Sequence, residues 1–348
     1  MVVGRPCERL CRAMVGRIVG LLICALVLYG VAPAVLDVLD EWPKVVEIEP
    51  YWFVAMIVAQ VGSWAGLWLL QRLAVDSHSW WPVITSNLAS SAVGRVVPGG
   101  AAAAGAMQFK MLVQAGVSPS LAGLGITVAG IVVLATLAAL PVLALPPILF
   151  GLAVPDTLSH AAFGGVALFL ALLGVGALLM SGNRPVLWVG RMTQRIGRRL
   201  RRKHPPAEDL PERFLLQRNL VRRAFGTRWW EAVAGASARW VLDYVTLLTA
   251  LAAVGQHPRP SLVLLAFCAA QQLAQIPVTP GGLGVVEAGL TGTLALIGVP
   301  AGAAAIATLA YRLVNYWLAL PLGGAAWLWH RRKVRSGAVA LPRPARAG

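Results

Sequence analysis

The sequence predicts an all-α polytopic membrane protein with six full spans and two re-entrant helical hairpins arranged as an inverted repeat. Three observations predict this class. The 348 residues are 58% hydrophobic and only 13% charged, which is more apolar sequence than a soluble core buries. The apolar residues form runs of about 20, the length that crosses ~30 Å of hydrocarbon. A Pro-Gly-Gly motif occurs twice, at Pro98–Gly100 and Pro280–Gly282.

Six apolar runs are predicted to cross the membrane as helices, because a helix satisfies its own backbone hydrogen bonds and lipid cannot supply any. None of the runs alternates in polarity as a barrel strand would. The predicted spans are Ile18–Leu36, Tyr51–Leu70, Leu121–Leu145, Ala161–Met180, Ala232–Val254 and Ala303–Trp329.

The distribution of basic residues predicts the topology. The chain has 30 Lys and Arg against 14 Asp and Glu, a formal net charge of +16. Most of the basic residues precede the first span, lie between Arg184 and Arg228, or follow Trp329. The positive-inside rule then places residues 181–228 and both termini in the cytoplasm and the acidic loop Asp37–Pro50 outside. The basic charge therefore indicates topology and attraction to anionic lipid, not a nucleic-acid partner.

The same features divide the chain into three parts. Residues 1–180 form an N-terminal membrane half that contains the first hairpin at 82–115. Residues 181–228 form a basic linker, interpreted either as amphipathic helices on the anionic inner leaflet or as a solvated loop. Residues 229–348 form a C-terminal membrane half with the second hairpin at 261–299 and a basic tail.

The two halves are related by an internal repeat. One ungapped shift superposes the first Pro-Gly-Gly on the second, and also Gly116 on Gly298 and Val117 on Val299. Each apolar piece beside a motif covers only ~20–24 Å as a helix, which is less than the ~30 Å of hydrocarbon. This length predicts re-entrant hairpins; the alternative is that each motif joins two ordinary short spans. Because the hairpins enter from opposite sides, the repeat is inverted, as in transporters with a midplane substrate site.

Pro-Gly-Gly can turn the chain inside the membrane, since proline lacks an N–H and glycine adopts dihedral angles that other residues avoid. The turn exposes the N–H groups that begin the next half-helix, and these favour an anion such as phosphate. The turn residues predicted to bind substrate are Pro98, Gly99, Gly100, Pro280, Gly281, Gly282 and Gly284.

Charged residues at membrane depth complete the predicted site, because a charge there costs at least ~2.5 kcal/mol and marks a functional position. Arg239 and Asp243 are four residues apart on one helix face, so they either bind substrate or pair with each other. Lys110 is interpreted as snorkelling to the interface. The other candidates are Arg95, Glu287, Arg312 and Asn315, with Gln271, Gln272 and Gln275 as a polar edge of the second hairpin.

Three stretches combine the motifs with these charges: "GRVVPGGAAAAGAMQFKMLVQAGVS", "IPVTPGGLGVVEAGL" and "TLAYRLVNYWLALPLGG". They resemble the membrane domain of the lysylphosphatidylglycerol synthase/flippase family, and the resemblance covers nearly the whole chain. It implies a plasma-membrane protein that moves lipids between leaflets, with substrate roles for Pro98–Gly100, Pro280–Gly284, Glu287 and Arg312. Two-domain members append a soluble aminoacyltransferase, whereas a short basic tail follows Trp329 here, so synthase activity is not expected.

The predicted function is a flippase-like transporter of a phospholipid, aminoacylated or not, or of a lipid-linked precursor. No Gly-x4-Gly-Lys-Ser/Thr nucleotide motif occurs, and no cofactor or metal is expected. Phosphate is placed between Arg95, Arg312 and the half-helix N-termini, and a cationic substituent on Glu287 or Asp243. A proton-coupled transporter of a small polar solute and a non-transporting membrane scaffold subunit are the alternatives. The sequence leaves open a homo-oligomer or a separate synthase partner.

Overall fold

A computed structural model of the chain describes residues 45, 47–97, 100–144, 156–188, 191–192, 219, 226–275 and 280–336. All regular secondary structure in these residues is helical. The first predicted span, most of the basic linker, and Pro98 and Gly99 of the first motif lie outside the described residues.

The N-terminal half contributes five described helices: α1 (Pro50–Ala74), α2 (Trp80–Val96), α3 (Gly100–Gln114), α4 (Pro119–Ala139) and α5 (Asp156–Ser181). Proline at the first position begins α1 and α4, where its missing N–H has no helical partner to lose. Ser118 caps α4 by accepting a hydrogen bond from the Leu121 N–H. A 3-10 turn, Leu140–Ala144, continues α4.

The C-terminal half repeats this order of helices. It contains α6 (Trp229–Ala253), α7 (Pro260–Leu273), a 3-10 turn at Pro280–Gly282, α8 (Val285–Leu296), α9 (Ala301–Arg312), a π-helical turn at Leu313–Trp317, and α10 (Ala319–Arg335). In both halves a long helix is followed by a short helix, a Pro-Gly-Gly segment, another short helix and a further long helix. The last of these is Pro119–Ala144 in the first half and Ala301–Arg335, counted through the π turn, in the second.

The described helices mark the protein as membrane-embedded. Three of them are long and apolar enough to span a bilayer: Pro50–Ala74, Pro119–Ala144 and Ala301–Arg335. This is fewer than the predicted six, partly because Arg239 and Asp243 interrupt the apolar run of the 25-residue α6. Helices α2, α3, α7 and α8 have 17, 15, 14 and 12 residues. At 1.5 Å per residue each is shorter than ~30 Å of hydrocarbon.

Helices α1 and α6 pack against each other at backbone contact. A methyl group built on Gly66 would lie 2.6 Å from the Gly235 carbonyl oxygen, and one built on Gly235 would lie 2.7 Å from the Gly66 oxygen. Gly62 faces Leu242, so the two helices run antiparallel. Small residues permit such close approach between membrane helices, and this contact brings the polar side chains of α1 and α6 together.

The tip of α2 meets the second Pro-Gly-Gly segment. Helix α2 is flanked by α3 and by α10, which runs antiparallel to it with Gly323 beside Leu88 and Ala92. At the far end of α2, the Arg95 carbonyl oxygen would lie 3.0 Å from a methyl group built on Gly281. The two halves are therefore in contact between the end of α2 and the second Pro-Gly-Gly segment.

Candidate functional site

Asp243 lies at the centre of a buried polar network in the middle of α6. Its side chain is 0% exposed, forms an ion pair with Arg239 Nη1 at 3.0 Å, and accepts hydrogen bonds from Asn315 Nδ2 at 2.5 Å and Gln271 Nε2 at 3.3 Å. A buried carboxylate is tolerated only when charge and hydrogen bonds compensate it. The Arg239 cation and the two amide donors supply that compensation, so the charge of Asp243 is balanced within the protein.

Helix α1 completes this network from the opposite side. Ser63 Oγ accepts a hydrogen bond from Arg239 Nη1 at 2.8 Å and donates to the Arg239 carbonyl at 2.7 Å. Gln60, with its amide oriented to satisfy both ends, donates to Asp243 at 3.0 Å and accepts from Trp64 Nε1 at 3.1 Å. The close packing of α1 on α6 makes these contacts reachable, and the network joins the two halves of the chain.

The π-helical turn at Leu313–Trp317 aims Asn315 at this network. A π turn accommodates one extra residue per turn, and such turns are frequent at functional sites. Besides Asp243, Asn315 Nδ2 reaches the buried Tyr311 hydroxyl at 3.3 Å. The same hydroxyl accepts a hydrogen bond from Gln271 at 2.9 Å, so α6, α7 and α9 are fixed to one another through polar side chains.

A second ion pair links Arg312 at the end of α9 to Glu287 in the first turn of α8. Arg312 Nε donates to Glu287 Oε1 at 2.6 Å, and their side chains are 8% and 17% exposed. Arg312 Nη2 donates to the Gly281 carbonyl at 3.3 Å, and its guanidinium lies 4.6 Å from the Tyr316 ring centroid. Glu287 is favourably placed, because the positive end of the helix dipole lies in the first turn.

Glycine is required at Gly281 for two separate reasons. Its φ of 60° is in the left-handed region, which other L-residues enter at a cost of roughly 1–2 kcal/mol. A methyl group there would also lie 2.5 Å from the Tyr316 ring. Gly282 and Gly284 have φ values of 70° and 78°, so the segment relies on glycine at three of its positions.

Arg95 reaches the same cluster from the tip of α2. Its Nη2 donates to the Asn315 carbonyl at 3.1 Å, and the Tyr316 hydroxyl donates to the Arg95 carbonyl at 2.9 Å. The Arg95 guanidinium lies 5.6 Å from the Tyr316 ring centroid. Since Arg312 contacts the same ring, Tyr316 faces two cations, which an aromatic ring attracts.

Two charged atoms of this cluster remain without a partner. Arg95 Nη1 and Glu287 Oε2 are buried, and neither makes a hydrogen bond within the part of the chain that the structure describes. A buried donor or acceptor left unpaired costs about 1–3 kcal/mol, and more when it is charged. Such atoms of opposite charge in one cluster can bind a ligand that carries both an anionic and a cationic or hydroxyl group.

Comparison with known proteins identifies the chain's relatives. The family described as the lysylphosphatidylglycerol synthase TM region matches residues 16–323. The chain belongs to this family. A UPF0104 membrane protein of Methanothermobacter thermautotrophicus is 27% identical over 84 residues, which is 24% of this chain and 25% of that protein. The chain thus spans about a quarter of the length of this curated relative. No solved structure matches the chain significantly.

For this member of the lysylphosphatidylglycerol synthase TM region family, the structure brings most of the predicted site residues together. Arg239 and Asp243 form one ion pair and Arg312 and Glu287 the other. Three further members, Arg95, Gly281 and Asn315, contact these pairs or the glycine segment, and Gly282 and Gly284 belong to that segment. Gly100 instead packs on Gly94, the Pro280 backbone lies in the 3-10 turn, and Pro98 and Gly99 are outside the described residues.

The glutamines of the second hairpin and Lys110 differ in their environments. Gln271 belongs to the Asp243 network. Gln275 is exposed and donates to the Gln271 carbonyl. Gln272 points to α5, near Gly165. Lys110 is exposed near the end of α3, far from both ion pairs.

Sequence reasoning missed four residues of the site: Gln60, Ser63, Tyr311 and Tyr316. Gln60 and Ser63 are three residues apart in an otherwise apolar helix, a spacing that puts both on one face. The two tyrosines flank Arg312 and Asn315 in "YRLVNYW". Among the described residues, no group of three or more His, Cys, Asp or Glu is arranged to hold a metal ion.

Proposed function

We propose that the protein is a flippase-like transporter that moves a phospholipid between the leaflets of the plasma membrane. The observation that carries the proposal is the pair of buried atoms Arg95 Nη1 and Glu287 Oε2, unpartnered within the described chain. A phospholipid headgroup would supply both missing partners. The family description names a phospholipid synthase, which supports lipid as the class of cargo.

Arg95 is the proposed phosphate contact. Its Nη2 is already used by the Asn315 carbonyl, so Nη1 is the donor available to a phosphate oxygen, and such charge-assisted bonds are strong. Helix α8 begins at Val285 after Gly284, which supplies no side-chain cap. The uncapped N–H groups at this terminus would add a second attraction for the phosphate.

Glu287 is the proposed acceptor for a cationic or hydroxyl substituent of the headgroup. Arg312 occupies its Oε1, which leaves Oε2 for the substrate. Asp243 is assigned a structural role instead, because Arg239 already pairs with it and Asn315 and Gln271 already donate to it. The acyl chains would remain in lipid, beside the exposed apolar surface of the short helices.

The proposed architecture has six spans and two re-entrant hairpins in an inverted repeat. Three features support it: the short lengths of α2, α3, α7 and α8, the recurrence of the helix order, and the antiparallel packing of α1 against α6. The contact between Arg95 and Gly281 supports a shared site where the two Pro-Gly-Gly segments approach each other, as alternating-access transporters with inverted repeats require.

The proposed orientation has both termini and residues 181–228 in the cytoplasm. It follows from the basic residues of that segment and of the chain after Trp329. Residues 1–180 and 229–348 would be the two membrane halves, and the linker between them would bind anionic inner-leaflet lipid. No aminoacyltransferase activity is proposed for the chain.

A proton-coupled transporter of a small polar solute is the second candidate. The observation that favours it is again Glu287, because a proton bound at Oε2 would neutralise the carboxylate and weaken its attraction to Arg312. In that case transport would depend on the proton gradient and would involve a soluble substrate.

Leaflet-resolved lipid transport in proteoliposomes tests the proposal. Labelled phospholipids with zwitterionic and with anionic headgroups would be reconstituted with the protein, and reduction of the label by an impermeant reagent would report translocation. We expect Arg95→Ala to slow transport of every phospholipid, and Glu287→Gln to slow the zwitterionic lipid more than the anionic one.

Matched controls are available outside the proposed site. Arg259→Ala removes an exposed arginine just before α7, and Glu231→Gln removes a half-buried carboxylate that pairs with Arg228 in the first turn of α6. Both variants should transport as the unmodified protein does. Equal rates for Arg95→Ala and Arg259→Ala would refute the phosphate assignment. Lipid flux absent from the unmodified protein, together with gradient-driven solute uptake, would favour the second candidate.

A further inference from the structure

A cavity of about 300 Å³ lies between α3 and α10, at the end of both helices. Lys110 on α3 and Arg331 and Arg335 on α10 contribute its charge, and Met107, Met111 and Trp327 are among its apolar walls. No Asp or Glu lines it in the described residues. A cavity with three cations and no compensating acid attracts an anion.

The cavity is separate from the Arg95 and Glu287 cluster. His330 lines it and is hydrogen-bonded to Thr85 in the first turns of α2, whereas Arg95 is near the last residue of α2. Arg95 is ten residues after Thr85, which separates the two positions by about 15 Å along the helix axis at 1.5 Å per residue. An anion in this cavity would therefore not touch the proposed transport site.

His330 is a fixed and buried part of the cavity wall. Its side chain is 2% exposed, and its ring stacks on Trp81 with centroids 4.7 Å apart and planes at 9°. The Thr85 hydroxyl lies 2.9 Å from His330 Nδ1 and 2.7 Å from the Trp81 carbonyl. Thr85 Oγ1 therefore occupies Nδ1, and Nε2 is the ring nitrogen that remains for another partner.

The second ring nitrogen of His330 faces away from α2 and towards α3. The Met111 backbone, which also lines the cavity, makes a weak polar contact with the ring. Nε2 is nevertheless buried without a hydrogen bond of normal geometry in the described structure. A buried ring nitrogen with no partner beside a cluster of cations indicates a ligand with a polar group at this point.

We infer that this cavity binds the phosphate group of an anionic phospholipid, as a site distinct from the transport site. Lys110, Arg331 and Arg335 would contact the phosphate oxygens, and His330 Nε2 would hydrogen-bond the same headgroup. Basic pockets between membrane helices near the cytoplasmic face bind anionic headgroups in this manner. The methionines and Trp327 favour a lipid over free phosphate, because they offer an apolar wall to the glycerol and the first acyl carbons.

Native mass spectrometry of the full chain in neutral detergent tests the inference. The protein would be titrated with dioleoyl phosphatidate, and with dioleoyl phosphatidylcholine as the lipid of zero net charge. We expect tighter binding of phosphatidate, and about fivefold weaker binding in Arg331→Gln, the loss typical of one cation near a membrane surface. Arg332→Gln is the matched control, since Arg332 is the next residue of the same helix and does not line the cavity.

A cavity-filling variant separates a pocket from diffuse surface charge. Met107→Trp keeps every cation but adds a bulky ring to the wall, so we expect it to weaken phosphatidate binding while thermal melting confirms the fold. In an Arg95→Ala background, where the proposed transport site is weakened, Arg331→Gln should still weaken phosphatidate binding about fivefold, which distinguishes failure here from failure of the proposed function. Equal weakening by Arg331→Gln and Arg332→Gln, or unchanged binding to Met107→Trp, would overturn the inference.

The source of the phosphate is tested in the same experiment. Inorganic phosphate would be added in large excess to the complex with phosphatidate. Retention of the lipid supports a lipid site, because the apolar wall then contributes to affinity. Displacement of phosphatidate by millimolar phosphate, with the same sensitivity to Arg331→Gln, would overturn the lipid assignment.

Discussion

Arg312 and Glu287 are 25 residues apart in sequence, yet Arg312 Nε donates to Glu287 Oε1 across 2.6 Å. The pair fixes the start of α8 to the end of α9, and Arg312 also holds the Gly281 carbonyl. One arginine therefore stabilises the second Pro-Gly-Gly segment and also occupies one of the two carboxylate oxygens of Glu287, the residue that we assign to substrate binding.

Breaking this ion pair from one side should destabilise the protein. Glu287→Gln leaves the Arg312 charge in a mostly buried position, and loss of one partner of a buried pair costs about 3 kcal/mol or more. We expect a lower melting temperature for Glu287→Gln in detergent. The double variant Arg312→Gln, Glu287→Gln should recover part of the loss, since no unpaired charge remains. The prediction is contradicted if the double variant loses as much free energy of unfolding as the two single variants lose together.

Gly281→Ala should impair transport far more than a glycine substitution elsewhere in the second hairpin. Alanine at φ 60° is strained, and its methyl group would lie 2.5 Å from Tyr316. Gly292 in α8 is the matched control, because a methyl group there has no neighbour within 4 Å in the described structure. We expect Gly292→Ala to transport lipid normally. Equal rates for the two variants in the proteoliposome assay would show that the turn geometry is not needed.

Asp243→Asn should destabilise the fold without acting on substrate directly. Asparagine removes the charge that compensates Arg239 and presents an N–H2 group to the donors of Asn315 and Gln271. We expect a drop in melting temperature equivalent to about 3 kcal/mol and poor recovery from the membrane. Glu231→Gln, at a carboxylate that pairs with the exposed Arg228 near the start of α6, should change the melting temperature little. A stable Asp243→Asn protein with altered lipid selectivity would instead indicate a binding role.

The re-entrant model predicts that the tips of both hairpins lie near the middle of the membrane. Single cysteines at Val97 and Leu283, beside the two Pro-Gly-Gly segments, should resist a bulky impermeant thiol reagent from both sides of the membrane. His78→Cys and His257→Cys should be labelled from the inside and outside respectively, as accessible controls. The background would lack the native cysteines Cys7, Cys11, Cys24 and Cys268.

Full spans would give the opposite labelling pattern at the tips. Val97→Cys would then react rapidly from outside only, and Leu283→Cys from inside only, because each short helix would end at a membrane surface. That result would refute the shared midplane site while leaving the family assignment intact.

The charged members of the site could be predicted from the sequence because charge is costly at membrane depth. Arg95, Glu287 and Arg312 stand out in apolar helices for that reason, and the structure gathers them around Tyr316. Their partners could not be predicted in the same way. The pairing of Arg312 with Glu287 depends on how α8 folds against α9, and sequence spacing carries no information about that contact.

Neutral polar residues gave weaker signals than charges. Ser63 and Gln60 are inexpensive to bury when hydrogen-bonded, so nothing in composition distinguishes them from ordinary helix contacts. The first hairpin was predicted to begin at residue 82, and α2 begins at Trp80. The π turn at Leu313–Trp317 could not be predicted, because no proline or glycine marks it in the sequence.

The π turn also sets the rotational phase of the last helix. It adds one residue to a helix that would otherwise run unbroken from α9 into α10, and each residue of an α-helix corresponds to a rotation of about 100°. Deleting one residue at Val314 would therefore turn α10 about its axis while Arg312 stayed in place. His330 would rotate off Trp81, and the cations of the cavity would face a different neighbour. A single extra residue thus decides which side of α10 is presented to α2 and α3.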